Sequence, residues 1–266
     1  MSDTPATTAT APGSVTPIFV PPDSSQDGSL GVSFAIEDGV EARVEPDEET
    51  SISLDGEPTG FAPVENVLER LAVSAAVSLT ASIPVGYGFG ASGAATLATA
   101  LAANDAFELG WDRGQLLNAA HRAEVDAGTG LGDVFIQDRG GLVWNTGDGI
   151  QRSALSADLA YTAFDGIATS AVLDDERTIE RVRECGRDCL SRASPEQSLR
   201  ELLELSWEFA RRSDLATERV TAAVRRVERD GGVASMAMLG ETVIATGTQN
   251  TLERTTRITD EGAHIC

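Results

Sequence analysis

No lysine occurs in these 266 residues, so all 20 basic side chains are arginines. That absence excludes whole mechanisms. A P-loop needs its motif lysine on the β/γ-phosphates, a protein kinase needs a strand lysine, and Schiff-base chemistry forms on a lysine amine. None of these can operate here. Cysteine and histidine are also scarce, at three and two. Cys185, Cys189 and Cys266 make no disulfide framework, and with only His121 and His264 to join them no zinc site is expected. No apolar run approaches the ~20 residues of a membrane span. The opening "MSDTPATTATAPGSVTP" lacks a charged-then-apolar signal pattern, so a cytoplasmic protein is expected. There is no basic stripe with interleaved aromatics, and nucleic acid is not an expected partner.

Acid is what the chain has in excess. Asp and Glu number 42, for a formal net charge of −22 at pH 7. Such a composition looks like that of a halophilic protein, because at molar salt a Debye length of ~3 Å screens most carboxylate repulsion. Thr, Ala, Pro and Ser dominate residues 1–15, which read as a disordered tail. Short alternating or apolar runs then suggest strands over 16–56, and "APVENVLERLAVSAAV" (62–77) has helical spacing before "SLTASIP" returns to strand. Helices are expected over 92–108 and 114–125, followed by the loop "DAGTGLGD" (126–133), a short helix and the strand "GLVWN". The texture changes near residue 160. "GIATSAVL" reads as a strand, 174–191, 196–212 and 215–229 as amphipathic helices, "ASMAM" and "TVIATG" as a hairpin, and "RTTRIT" as a last strand. The order is mixed α+β, without the strict alternation of a doubly wound sheet.

The most pointed segment is "PVGYGFGASGAATLATALAAN" (84–104), with Gly86, Gly88, Gly90 and Gly93 ahead of an alanine-rich helix. Gly88-Phe-Gly90-Ala-Ser-Gly93 matches the dinucleotide fingerprint letter for letter. That fingerprint also requires a second strand within ~30 residues ending in an acidic residue, and here two helices follow with no strand until after residue 140. The dinucleotide reading fails on context. A glycine turn that presents successive N–H groups, with a helix N-terminus behind it, suits a polyphosphate instead. Ser92 lies in the first helical turn, where a hydroxyl could serve the phosphate or its Mg2+. Taken alone it is also an ordinary capping serine.

Pro84-x-Gly86-x-Gly88-φ-Gly90-Ala91-Ser92-Gly93-Ala94 resembles the ATP-phosphate loop of the GHMP small-molecule kinases. "GLGDVFIQDRGGL", with Asp133 ahead of Gly140-Gly141, and "GGVASMAMLGETVIATG" (231–247) are similar to two further motifs of that superfamily. Within it, "AEVDAGTGLGD", "GIATSAVLDDERTIERVRECGRDCL", "LLELSWEFA" and "ASMAMLGETV" look like the archaeal pantoate kinase family, in order, across roughly residues 28–247. The resemblance implies a two-domain α+β fold. An S5-like ATP-binding domain would span 16–160 and a ferredoxin-like domain 161–266, with a cleft between them. It implies ATP-dependent phosphorylation of the hydroxymethyl oxygen of pantoate, toward coenzyme A. Asp133 would act as base or orient the acceptor hydroxyl, and Glu124, nine residues earlier, would help Ser92 hold Mg2+. Read without the resemblance, Glu124 is a solvated helix-face carboxylate and Asp133 a helix cap. A homodimer rests on the same likeness alone.

The N-terminal region departs from that family. The Pro-Gly-His and Gly-Phe-Phe elements are missing from "FVPPDSSQDGSLGVSF", and Leu30 and Asn145 stand where arginines are expected. An arginine fork is the usual grip on a carboxylate such as pantoate. Three readings follow: a pantoate kinase with rearranged anion contacts, Arg139 being one candidate, a kinase for another small alcohol, or a non-catalytic paralogue that binds nucleotide or a partner.

Overall fold

In the computed structural model, the residues described are 6–21, 29–130, 132–147, 149–166, 175–248 and 251–266. Two sheets organise them. The larger has eight strands: β1 (Thr7–Val20), β2 (Leu30–Pro46), β3 (Ser51–Leu54), β4 (Glu57–Pro58), β5 (Ala75–Ala81), β6 (Leu142–Asn145), β7 (Ile150–Ser153) and β12 (His264–Ile265). Its path runs β12-β1-β2-β5-β3-β4, with β6 joining β2 and β7 beyond it. The smaller sheet has the order β11-β8-β10-β9, from β8 (Asp158–Gly166), β9 (Val233–Ala237), β10 (Gly240–Thr246) and β11 (Arg254–Arg257). This is the ferredoxin-like strand order, with helices α5 (Glu176–Arg192), α6 (Leu199–Arg212) and α7 (Glu218–Arg229) in the crossover between β8 and β9.

The expected tail at 1–15 is corrected from Thr7 onward. Residues 7–20 form β1, paired with β2 on one side and β12 on the other. Small and β-branched residues explain it: Ala9, Ala11 and Val15 are fully buried, and threonine suits a pleated surface. Composition alone reads residues 7–15 of this strand as disordered, and only 16–20 as strand. The strand also carries register shifts at Pro12/Gly13 and between Val15 and Ile18, and such bulges re-aim side chains. The far end of the chain returns to this first sheet through β12, so strand pairing does not divide cleanly near residue 160.

Four helices pack on the first half: α1 (Ala62–Leu71), α2 (Ala91–Ala106), α3 (Arg113–Asp126) and α4 (Asp133–Arg139). The single helix read over 62–77 ends at Leu71, where Ala72 turns left-handed at φ 57, and β5 begins at Ala75. Most of α2 is buried on every face, as an alanine-rich helix with no polar side can be. Its small side chains let it lie close to β1, β2, α1 and α3. Capping boxes at Asp112/Gln115 and Ser198/Glu201 fix the starts of α3 and α6. β8 was not anticipated, and the strand expected at "GIATSAVL" falls almost wholly outside the described residues. No helix among the described residues is long and apolar enough to cross a membrane.

Candidate active site

The glycine turn, the N-terminus of α4, the C-terminal end of α3 and the inner faces of β1, β2 and β6 enclose a cavity of about 860 Å³. Gly86, Gly88, Gly90, Ala91, Ser92 and Gly93 line it, whereas Pro84 and Ala94 do not. Pro84 ends the approach to the turn, and Ala94 is buried behind it. Gly90 is the N-cap of α2, left-handed at φ 63 and without any side-chain cap. The first N–H groups of a sixteen-residue helix are therefore left for whatever enters the cavity. A Cβ on Gly90 would overlap Ser14 Oγ and come within 2.8 Å of Gln137 Nε2, so no other residue fits there without displacement.

Glu124 is buried at 3% exposure and is not the solvated carboxylate that its helical position alone suggested. Three hydroxyls serve it: Ser92 Oγ donates to Oε1 at 2.7 Å, Thr96 Oγ1 to the same oxygen at 2.9 Å, and Thr129 Oγ1 to Oε2 at 3.1 Å. Ser92 and Thr96 lie one turn apart on α2, which puts both on the face toward α3. Burial pushes the Glu124 carboxyl upward. The hydroxyls pull against that shift, and the charge of Asp133 adds to it. Gly130 closes against Glu124, where a Cβ would come within 3.0 Å of its carbonyl carbon.

Asp133 is the first residue of α4, after a left-handed Gly132, and lines the same cavity. Ser14 Oγ, on β1, donates to its Oδ1 at 2.7 Å. Burial raises the Asp133 carboxyl and the Ser14 bond opposes the rise. The other carboxylate oxygen is left to the cavity. His121 lines the cavity against Phe135, with ring centroids 4.9 Å apart, and burial, then the charge of Arg122, lowers its pKa. Thr16 and Ser33, linked at 2.8 Å, present a hydroxyl pair from β1 and β2.

The structure thus brings Ser92, Glu124, Asp133 and the glycine turn to one cavity. Leu30 and Asn145, the two positions expected as arginine, both line it. Arg139 does not, and its guanidinium instead caps the Phe135 carbonyl at 3.1 Å. No arginine is among the described lining residues, and none occurs in the sequence outside the described residues. Sequence reasoning missed Ser14, Thr96, Thr129 and Gln137. The spacing Ser92–Thr96 could have pointed to Thr96, but nothing local marks Ser14, which meets Asp133 across more than a hundred residues.

Residues 62–141 match the sequence model of the family described as GHMP kinases N terminal domain. Pantoate kinases of Methanospirillum hungatei and Methanocaldococcus jannaschii are each 28% identical to this chain, over 256 and 257 residues. The alignments span 90% and 91% of this chain and 87% and 93% of theirs. A solved structure titled "Phosphotransferase related to CoA biosynthesis pathway" superposes with a TM-score of 0.86 at 22% identity, covering 98% of this chain and 99% of its own. The fold is the two-domain fold of the GHMP kinases.

Proposed function

We propose that this chain, a member of the GHMP kinase superfamily by its fold and its N-terminal domain, transfers the terminal phosphoryl group of ATP to the hydroxymethyl oxygen of pantoate. The observation that carries the reading is the convergence, on one cavity, of an uncapped helix N-terminus, a hydroxyl-bound buried carboxylate and a second carboxylate with one oxygen free. Similarity to pantoate kinases over nine-tenths of the chain supplies the acceptor.

The N–H groups of the first turn of α2 hold phosphate oxygens. This does the work that a lysine does in other kinases. Asp133 accepts the proton of the acceptor hydroxyl as the new O–P bond forms and the bond to the ADP oxygen breaks, or orients that hydroxyl for attack. The donors around Glu124 suit a hard divalent cation. All are oxygens, the carboxylate is buried, and no guanidinium among the described residues neutralises it. Glu124 and Ser92 would hold Mg2+, which supplies charge neutralisation for the phosphates. The expected setting is a cytoplasm of high salt, in keeping with the acid excess.

One observation favours a second reading. Because no arginine lines the cavity among the described residues, a small alcohol without a carboxylate would fit it equally well electrostatically. The test is ADP release from Mg-ATP in molar KCl with no acceptor, with pantoate and with the uncharged amide of pantoate, for wild type and Asp133→Ala. Pantoate-dependent turnover that falls about 10²–10⁴-fold in Asp133→Ala is expected. Turnover with the amide only would support the second reading. ATP binding without turnover would leave a nucleotide-binding paralogue.

A further inference from the structure

Gln137 sits one helical turn after Asp133 on α4 and is fully buried. Its Nε2 donates to the carbonyl of Gly90, the cap of α2, at 2.7 Å. The same nitrogen lies 3.4 Å from Ser14 Oγ, and Ser14 in turn holds Asp133 and donates its own N–H to the Phe89 carbonyl at 2.9 Å. The amide orientation follows from chemistry: the Gly90 oxygen can only accept, so the nitrogen must face it. Gln137 Oε1 finds no partner among the described residues. A fully buried amide with an idle carbonyl costs stability that an apolar side chain of the same length would not. Packing alone does not account for glutamine here.

We propose that Gln137 is a positioning residue for phosphoryl transfer. With Ser14 it holds the turn that carries the phosphates in fixed register with Asp133. The claim rests on the kinase reading above and deepens it. The phosphates are held at the N-terminus of α2 and the acceptor oxygen at the N-terminus of α4, so the gap between reacting atoms is the gap between these two helix ends. Gly90 and Gly93 let the ends approach: a Cβ on either would stand 2.8 Å from the Gln137 amide and 3.3 Å from Asp133 Cβ. Behind Gly90 the turn is glycine-rich and left-handed at Gly86 and Gly88. Gln137 is the side chain that ties the turn to the helix bearing the base. The bulge at Pro12/Gly13 in β1 is followed at once by Ser14, the second tie.

The test compares wild type, Gln137→Met, Ser14→Ala and the double variant for kcat, both KM values and Tm. It also follows amide exchange at Ser14 and Ala94, whose acceptors are the Phe89 and Gly90 carbonyls. Methionine keeps the length and removes the donor. For Gln137→Met we expect kcat to fall about 10²-fold, with both KM values within about threefold and Tm at or above that of wild type. Ser14 and Ala94 should exchange about tenfold faster. The double variant should lose little beyond the worse single one, as residues acting as a unit do. A kcat within about threefold of wild type, or fully additive losses, would overturn the proposal. If wild type releases no ADP, the kinase reading fails, and exchange alone then decides the tie: faster exchange supports it and unchanged exchange overturns it. If Gln137→Met does not fold, Ser14→Ala is judged by the same two readouts.

Discussion

Two clusters of carboxylates in this molecule are treated in opposite ways. On the outer face of α5 and α6, Glu208 receives both terminal nitrogens of Arg192, at 2.7 and 2.8 Å, and Arg212 at 3.0 Å, while Asp188 is paired with Arg212. Those arginines hold the Glu208 carboxyl down at about 2. In the cavity, Glu124 and Asp133 meet hydroxyls and no guanidinium among the described residues, and burial drives both upward. Asp188, Cys189 and Glu208 do bring three ligand-type atoms within 4.8 Å of one another. Their oxygens are already occupied by arginine, however, and burial, then the charge of Glu208, pushes the Cys189 thiol up to about 11. A paired carboxylate is finished chemistry. One that meets only hydroxyls in a cavity is available to a cation or a proton.

Breaking the cavity side should give the larger effects. Gly90→Ala is expected to cost about 10²-fold in activity and to weaken ATP binding, because the new methyl group overlaps Ser14 and crowds Gln137. Gly110→Ala is its control. Gly110 has a similar φ of 71 but nothing within 4 Å, so it carries the backbone strain without the overlap. Steady-state kinetics and nucleotide titration of the two variants separate the terms.

Glu124→Gln should have the next largest effect. Turnover should need about tenfold more Mg2+ or more, since glutamine offers the metal a neutral oxygen. The sign of the stability effect is the reverse of the usual carboxylate case. The folded-state pKa of Glu124 lies above its unfolded value, so folded protein binds more protons and metal-free stability falls as pH rises through the raised pKa. The substitution removes that loss. Metal-free Tm at pH 7.5 should rise by about 2–4 °C, with less change near pH 4. A Tm that falls at pH 7.5 would contradict the unpaired carboxylate.

Arg192→Ala tests the other side and should do least. The pair is exposed, so Tm should drop by less than about 2 °C at low salt and not measurably at molar salt, with kcat unchanged.

Much of the cavity could be read in the sequence because its parts are local. The turn at 84–94, the helix behind it and the Glu124–Asp133 interval are each contained in one segment, and glycine, alanine and carboxylate chemistry speaks directly there. What could not be read depends on distant pairing. Residues 7–15 are ordered by β2, β12 and α2, so their composition alone suggests a tail. Ser14, just after a bulge in β1, meets Asp133 from a strand far away in the sequence. The division of α1 from β5 hinges on Ala72 turning left-handed, which alanine does not announce. The missing arginines were visible in the sequence. That both positions line the cavity and no described arginine replaces them was not.

The most direct measurement follows label from γ-32P-ATP into the acceptor in molar KCl with Mg2+, for wild type and Asp133→Ala. Wild type should yield labelled pantoate, phosphorylated on its hydroxymethyl oxygen, in step with ADP, and Asp133→Ala should lose about 10²–10⁴-fold of that transfer. ADP formed without labelled pantoate, or equal transfer by the Asp133→Ala protein, would contradict it.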